Sequence, residues 1–187
     1  MTTVRVLLAR KVAGHTRIDA LHLAAFAAAV AGVIHLWAVA EHLESSLLVG
    51  GFFLLVGSAQ VILAAVLVVE PLSTRALVGV AVVHLALVAL YVATRTRDLP
   101  LAPVHSAGGH VDADAVAAAA PGSVGNGVPI YPGSRIEPVG PLDLVCVLAE
   151  VALVGLLLRS LPAHARAVVF NAALVLGLSV WVLRLTA

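Results

Sequence analysis

Charged residues are scarce in this chain of 187 residues: Asp, Glu, Lys and Arg together make up 11% of it. Soluble domains carry about 25%, and without that coat a water-facing exterior is excluded. Aromatic residues are equally sparse at 4%, and the net charge is only +1. These two shortages remove the basic surface and the stacking platform of nucleic-acid binding, so no nucleic-acid partner is expected. Cys146 is the only cysteine. One thiol can form neither an intramolecular disulfide nor a zinc site built from cysteines. The chain also lacks a G-x-S-x-G elbow, a P-loop, a G-x-G-x-x-G turn and an H-E-x-x-H pair, which removes the familiar soluble catalytic frameworks. It shows no internal repeat, so the inverted-repeat plan of many transporters has no support.

What the chain does have is apolar length. Hydrophobic residues account for 61% of the sequence. They gather into runs near the ~20 residues that an α-helix needs to cross the hydrocarbon of a bilayer. Five such runs lie at about 18–40, 47–69, 76–94, 141–160 and 163–185. In hydrocarbon every backbone amide must find its partner within its own segment or in a closed barrel. Strand-like alternation of polar and apolar residues is absent, so the expected fold is an all-α integral membrane bundle of five helices, one membrane domain over 1–187. The lipid bilayer is its first partner, and other membrane subunits could pack against it.

Basic flanking residues set the expected orientation. Arg5, Arg10, Lys11 and Arg17 precede the first run, Arg75 lies between the second and third, and Arg159 with Arg166 brackets the turn between the fourth and fifth. All seven fall on one side if the N-terminus is cytoplasmic, and Arg95, Arg97, Arg135 and Arg184 fall on the other. Most acidic residues, among them Glu41, Glu44, Asp98, Asp112, Asp114 and Glu137, then fall on the other. The sequence Ala38-Val39-Ala40 before Glu41 has the small-x-small pattern of a signal-peptidase site. The apolar run ahead of it exceeds the usual ~7–15 residues of a signal core, which favours a retained helix. Ten arginines against the single lysine Lys11, with abundant Ala and Val, fit a GC-rich bacterial source and hence the inner (cell) membrane.

The stretch 95–140 is the one long connection. Its Gly, Pro, Ala and Ser content predicts a mostly irregular external loop, with a short helix over Asp112 to Ala120 ended by Pro121-Gly122. His105, His110, Asp112 and Asp114 form a loose metal-ligand-like run within it, of a kind that polar loops also produce by chance.

Ionisable residues inside the runs carry the functional argument, since each costs at least ~2.5–3.5 kcal/mol near the bilayer centre. His35 and His42 stand seven residues apart, within about 20° on one helix face. Ala28, Ala31 and Gly32 line that face, and small residues admit a close neighbour. His84 lies near the middle of the third run on the face of Leu77, Ala81, Val88 and Tyr91. Asp143, Cys146 and Glu150 form a polar stripe down the fourth run. Gln60 in the second run and Asn171 in the fifth are further polar residues, and Arg95 ends the third. At ~1.5 Å per residue, His84 and Glu150 lie ~13–15 Å below the outer ends of their helices and His35 ~8 Å below its own.

Such a cluster supports several chemistries. His35, His84 and Glu150 are candidate ligands for a transition metal, with His42, Gln60, Asp143 and Arg95 in support. His35 and His84 could instead be the two axial ligands of a haem, the one route to an enzyme here. His84 and Glu150 could pass a proton. Alternatively the polar residues only fix helix register, and the protein is an accessory subunit of a larger membrane complex.

Several segments also resemble a group of uncharacterised small polytopic membrane proteins of actinobacteria. They are the His35-to-His42 run with Glu41, Gly51-Phe52-Phe53 with Gln60, Arg95-Thr96-Arg97-Asp98-Leu99-Pro100, and Glu137-Pro138-Val139-Gly140-Pro141-Leu142-Asp143 with Glu150. The resemblance spans the first four runs and leaves out the fifth and the insertion from His105 to Pro132. It implies a membrane location and a multi-helix fold, and no activity.

Overall fold

The computed structural model describes residues 2–70, 72–96 and 139–185, with the side chains of 2–17 and 45 left out. Its elements are five helices: α1 (Thr2–Ser45), α2 (Leu47–Val69), α3 (Thr74–Thr96), α4 (Pro141–Ser160) and α5 (Ala163–Leu185). All five are long and apolar enough to cross a membrane. The protein is thus an all-α, multi-pass membrane bundle.

α2, α4 and α5 run over the residues that hydropathy marks, and α3 gains two residues at each end. α1 differs. It is one helix of 44 residues, about 66 Å at 1.5 Å per residue, and only Ile18–Glu44 forms its apolar span. The basic residues from Arg5 to Arg17 therefore continue the helix and do not precede it. No proline interrupts this stretch, so nothing removes a backbone donor.

The helices are stopped and restarted by short polar caps. Ser46 alone separates α1 from α2; its backbone is extended, and its hydroxyl accepts from the Val49 amide at 3.4 Å. Ser73 does the same for α3, accepting from the Ala76 amide at 3.2 Å. At α4, Pro141 takes the first turn, where its missing N–H costs nothing, and the Asp143 carboxylate accepts the Gly140 amide at 2.7 Å. The α4–α5 corner at Leu161-Pro162 is closed by the Arg166 amide donating to the Pro162 carbonyl.

α1 packs on α2 and on α4, and α3 packs on α4 and on α5. The order across the bundle is therefore α2, α1, α4, α3, α5. α1 and α3 end where α2 and α4 begin, near Ser46; the opposite end lies near Ser73. The apolar core occupies the half nearer Ser73: Ala24 and Ala28 of α1, Leu67 of α2, Leu77 and Ala81 of α3, and Leu153 and Leu157 of α4. The outward faces are large and apolar, with Phe26 and Trp37 each 69% exposed. Water would not tolerate so much contiguous apolar surface, and lipid does.

α1 and α2 meet through glycine. A Cβ on Gly57 would lie 2.9 Å from the Gly32 carbonyl oxygen, and one on Gly32 would lie 3.0 Å from the Gly57 carbonyl oxygen. The two backbones touch at this crossing, as small residues in membrane helices permit.

The His105-to-Asp114 run, the expected helix at Asp112 to Ala120 and most of the expected external loop lie outside the described residues.

Candidate functional site

The glycine crossing sets the site. The helices run antiparallel, so Gly32 faces Gln60, with a Cβ on it 3.1 Å from the Gln60 Cβ, and Gly57 faces Leu36, with a Cβ on it 3.0 Å from the Leu36 nitrogen; the close contact between them brings the His35 and Gln60 side chains together. The His35 Nδ1 lies 2.7 Å from the Gln60 Oε1. Gln60 Nε2 then donates to Glu150 Oε1 at 2.5 Å, and the other Glu150 oxygen is hydrogen-bonded to His84 Nδ1. The result is a chain His35–Gln60–Glu150–His84 with one side chain from each of α1, α2, α4 and α3. Gln60, Glu150 and His84 are each only 3% exposed.

Donor and acceptor rules orient this chain. A carboxylate only accepts, so the Gln60 amide turns its NH2 to Glu150 and its carbonyl to His35. That carbonyl in turn requires the proton of His35 on Nδ1. The His35 Nε2 is then the acceptor, and the thiol of Cys146 donates to it at 3.7 Å.

Cys146 is the residue that spacing alone did not mark as a ligand. It precedes Glu150 by one helical turn, on the same face of α4, and is half-buried. Ligand atoms of His35, Cys146 and Glu150 all lie within 4.8 Å of one another. The sequence sets aside a cysteine-based zinc site, yet here the one thiol joins an imidazole and a carboxylate. His84 completes the grouping as the partner of Glu150.

Arg95, Asp143 and His42 sit toward the Ser46 end. Arg95 pairs with Asp143 at 3.2 Å, with its guanidinium 4.9 Å from the centre of the Tyr91 ring. His42 bonds back to the Ala38 carbonyl at 2.9 Å and stacks against Phe53, ring centres 4.2 Å apart. Phe53 also touches His35, at 5.5 Å. His42 is thus held near the site but outside the hydrogen-bonded chain. Asn171 of α5 is exposed and takes no part.

Two of the ligand sets fare differently. The side chains of Gln60 and Glu150 bridge His35 to His84, filling the space that a haem between these two imidazoles would need. A single metal ion requires much less room. Around zinc, bonds of ~2.0–2.3 Å place ligand atoms roughly 3.4–3.8 Å apart. His35 and Cys146 already have that separation, and Glu150 needs to close by about 1 Å on the same scale.

Fold and site together define a multi-pass membrane protein with a His/Cys/Glu cluster near the middle of its bundle. No protein-family model matches the chain, and no curated protein or solved structure does either.

Proposed function

We propose that this is a small bacterial inner-membrane protein, N-terminus inside, of the actinobacterial type that its segments resemble, and that it binds a divalent transition-metal ion within the bilayer. His35 Nε2, Cys146 Sγ and a Glu150 oxygen are its ligands, and a fourth position stays open to water or a further ligand. The observation that carries this reading is the convergence of three chemically different ligand atoms within 4.8 Å. Thiolate, imidazole and carboxylate together suit zinc, whereas calcium and magnesium prefer oxygen throughout.

The surroundings support it. A ligating histidine ordinarily donates its other ring N–H to a fixed acceptor, which sets its tautomer and raises its basicity. Gln60 is that acceptor for His35. Glu150 has its two oxygens oriented by Gln60 and His84 and keeps lone pairs for an ion. When an ion binds, the thiol gives up its proton, and the anionic sulfur and carboxylate offset the metal's charge in a medium that cannot.

Energetics separate this reading from a purely structural one. Interhelical hydrogen bonds in membranes average ~0.6 kcal/mol each, so the three in this chain contribute about 2 kcal/mol. Carrying one ionisable side chain to the bilayer centre costs at least ~2.5–3.5 kcal/mol. Apolar side chains of similar volume would hold the helices at lower cost, so helix register alone is a weak reason for these residues.

The test uses protein purified in mild detergent without a polyhistidine tag, titrated with zinc and, as an optical stand-in, with cobalt(II). Wild type is expected to bind one ion per chain and to show thiolate-to-cobalt charge-transfer absorption. Cys146→Ser should abolish that absorption, and His35→Gln should weaken binding at least tenfold. A wild type that takes up neither ion would end the metal reading and leave a proton relay through His84 and Glu150, or helix register in an accessory subunit.

A further inference from the structure

We infer that the buried site communicates with only one face of the membrane, the face at the Ser46 end of the bundle, so that an ion is taken up and held there and is not conducted across. This deepens the metal-binding reading by fixing the side from which the ion arrives. The claim about access is independent of that reading in its test.

Depth along the helices is the first observation. From the start of α4, Asp143, Cys146 and Glu150 follow one another down one face, about 3, 8 and 14 Å from Pro141 at 1.5 Å per residue. Arg95 at the end of α3 and His42 near the end of α1 stand at the same end of the bundle, Arg95 paired with Asp143. Among the described residues, a cation approaching from the Ser46 end therefore meets the Arg95–Asp143 ion pair first, then the thiol, then the Glu150 carboxyl, with no wholly apolar layer between them.

The other half is the second observation. Among the described residues the buried polar ones are Gln60, His84, Arg95 and Glu150. None lies deeper toward the Ser73 end than Gln60 and His84. Beyond them come Ala81 and Leu77 of α3, Leu153 and Leu157 of α4, and Ala24 and Ala28 of α1, each at 0% exposure. Within each helix these residues cover about 6 Å, and Leu77 and Leu157 lie about 10 Å beyond His84 and Glu150. This layer offers an ion no oxygen, nitrogen or sulfur, and an unsolvated ion in such a medium costs tens of kcal/mol.

Cys146 reports on access directly, because it is the only thiol in the chain. The full-length protein in sealed vesicles is treated with a membrane-impermeant methanethiosulfonate, in right-side-out and in inverted preparations. Two reference variants built on Cys146→Ser, one with Ser46→Cys and one with Ser73→Cys, mark which face is exposed in each. Cys146 is expected to react only in the preparation that modifies the Ser46→Cys reference, at least tenfold faster than in the other. Reaction from the Ser73 face, from both faces at similar rates, or from neither overturns the inference. Zinc added to the reactive side should slow the modification. One-sided labelling that zinc leaves unchanged would keep the access route and discard the metal site, whereas two-sided labelling slowed by zinc would do the reverse.

Discussion

Gln60 is the residue on which the others depend. Its amide accepts from His35 with its oxygen and donates to Glu150 with its nitrogen, touching both at once. Replacing it with methionine keeps the volume and removes both contacts without deleting a ligand. Outer-shell changes of this kind typically lower metal affinity by 10–100-fold, and the two lost membrane hydrogen bonds cost about 1–3 kcal/mol together. For Gln60→Met we therefore expect zinc affinity in detergent to fall by about one to two orders of magnitude while the folded protein still purifies. An affinity equal to wild type would mean that His35 needs no fixed tautomer, and the role given to Gln60 would be wrong. His35, His84, Glu150 and Gln60 could be singled out from sequence because ionisable and amide groups are costly in an apolar run. Cys146 could not, since a lone thiol in a membrane helix passes for a small apolar residue. Its placement opposite His35, 3.7 Å from Nε2, is what makes it a candidate ligand.

At the level of the element, glycine has to be sorted by position. Gly50, Gly51 and Gly57 all lie in α2. In the structure a Cβ on Gly50 would meet the Leu43 backbone nitrogen at 2.7 Å and one on Gly57 the Gly32 carbonyl at 2.9 Å, while Gly51 has nothing within 4 Å. Backbone atoms cannot move aside as a side-chain tip can, so Gly57→Ala must push α2 off α1. Overpacking of this kind costs ~1–3 kcal/mol, and it also parts His35 from Gln60. The expected result is a lower unfolding midpoint in detergent for Gly57→Ala together with weaker zinc binding, and neither change for Gly51→Ala. Equal effects at the two positions would show that the crossing at Gly32 and Gly57 does not fix the site. Helix limits were legible from hydropathy for α2, α4 and α5 because a bilayer admits few alternatives to a continuous helix. The start of α1 was not, since a basic stretch without proline continues a helix into water as readily as it ends one. Which helices touch was equally hidden: the low-cost small-residue faces are visible in the sequence, but their pairing is a property of the whole bundle.

Across the whole molecule, the two ends of the bundle differ in charge as well as in access. Arg75, Arg159 and Arg166 are exposed at the Ser73 end, and the basic stretch of α1 ahead of Ile18 leaves the span on the same side. Lys and Arg near the ends of short loops are retained on the cytoplasmic side, so the Ser73 end is expected inside and the site's mouth outside. A phosphatase reporter that is active only outside the cytoplasm should therefore be active when fused after Ala187 and inactive when inserted beside Ser73. Exchanging Arg75, Arg159 and Arg166 for glutamine removes the bias nearest the last three spans and should yield a mixed population of orientations. If wild type instead shows activity at Ser73, the bundle is inverted relative to the charge rule. The site then faces the cytoplasm, and the ion held by His35, Cys146 and Glu150 is drawn from the cell's own pool. The internal relation between mouth and sealed half survives that outcome, because it is set by where Asp143 and Leu157 lie along α4 and not by which compartment each end meets.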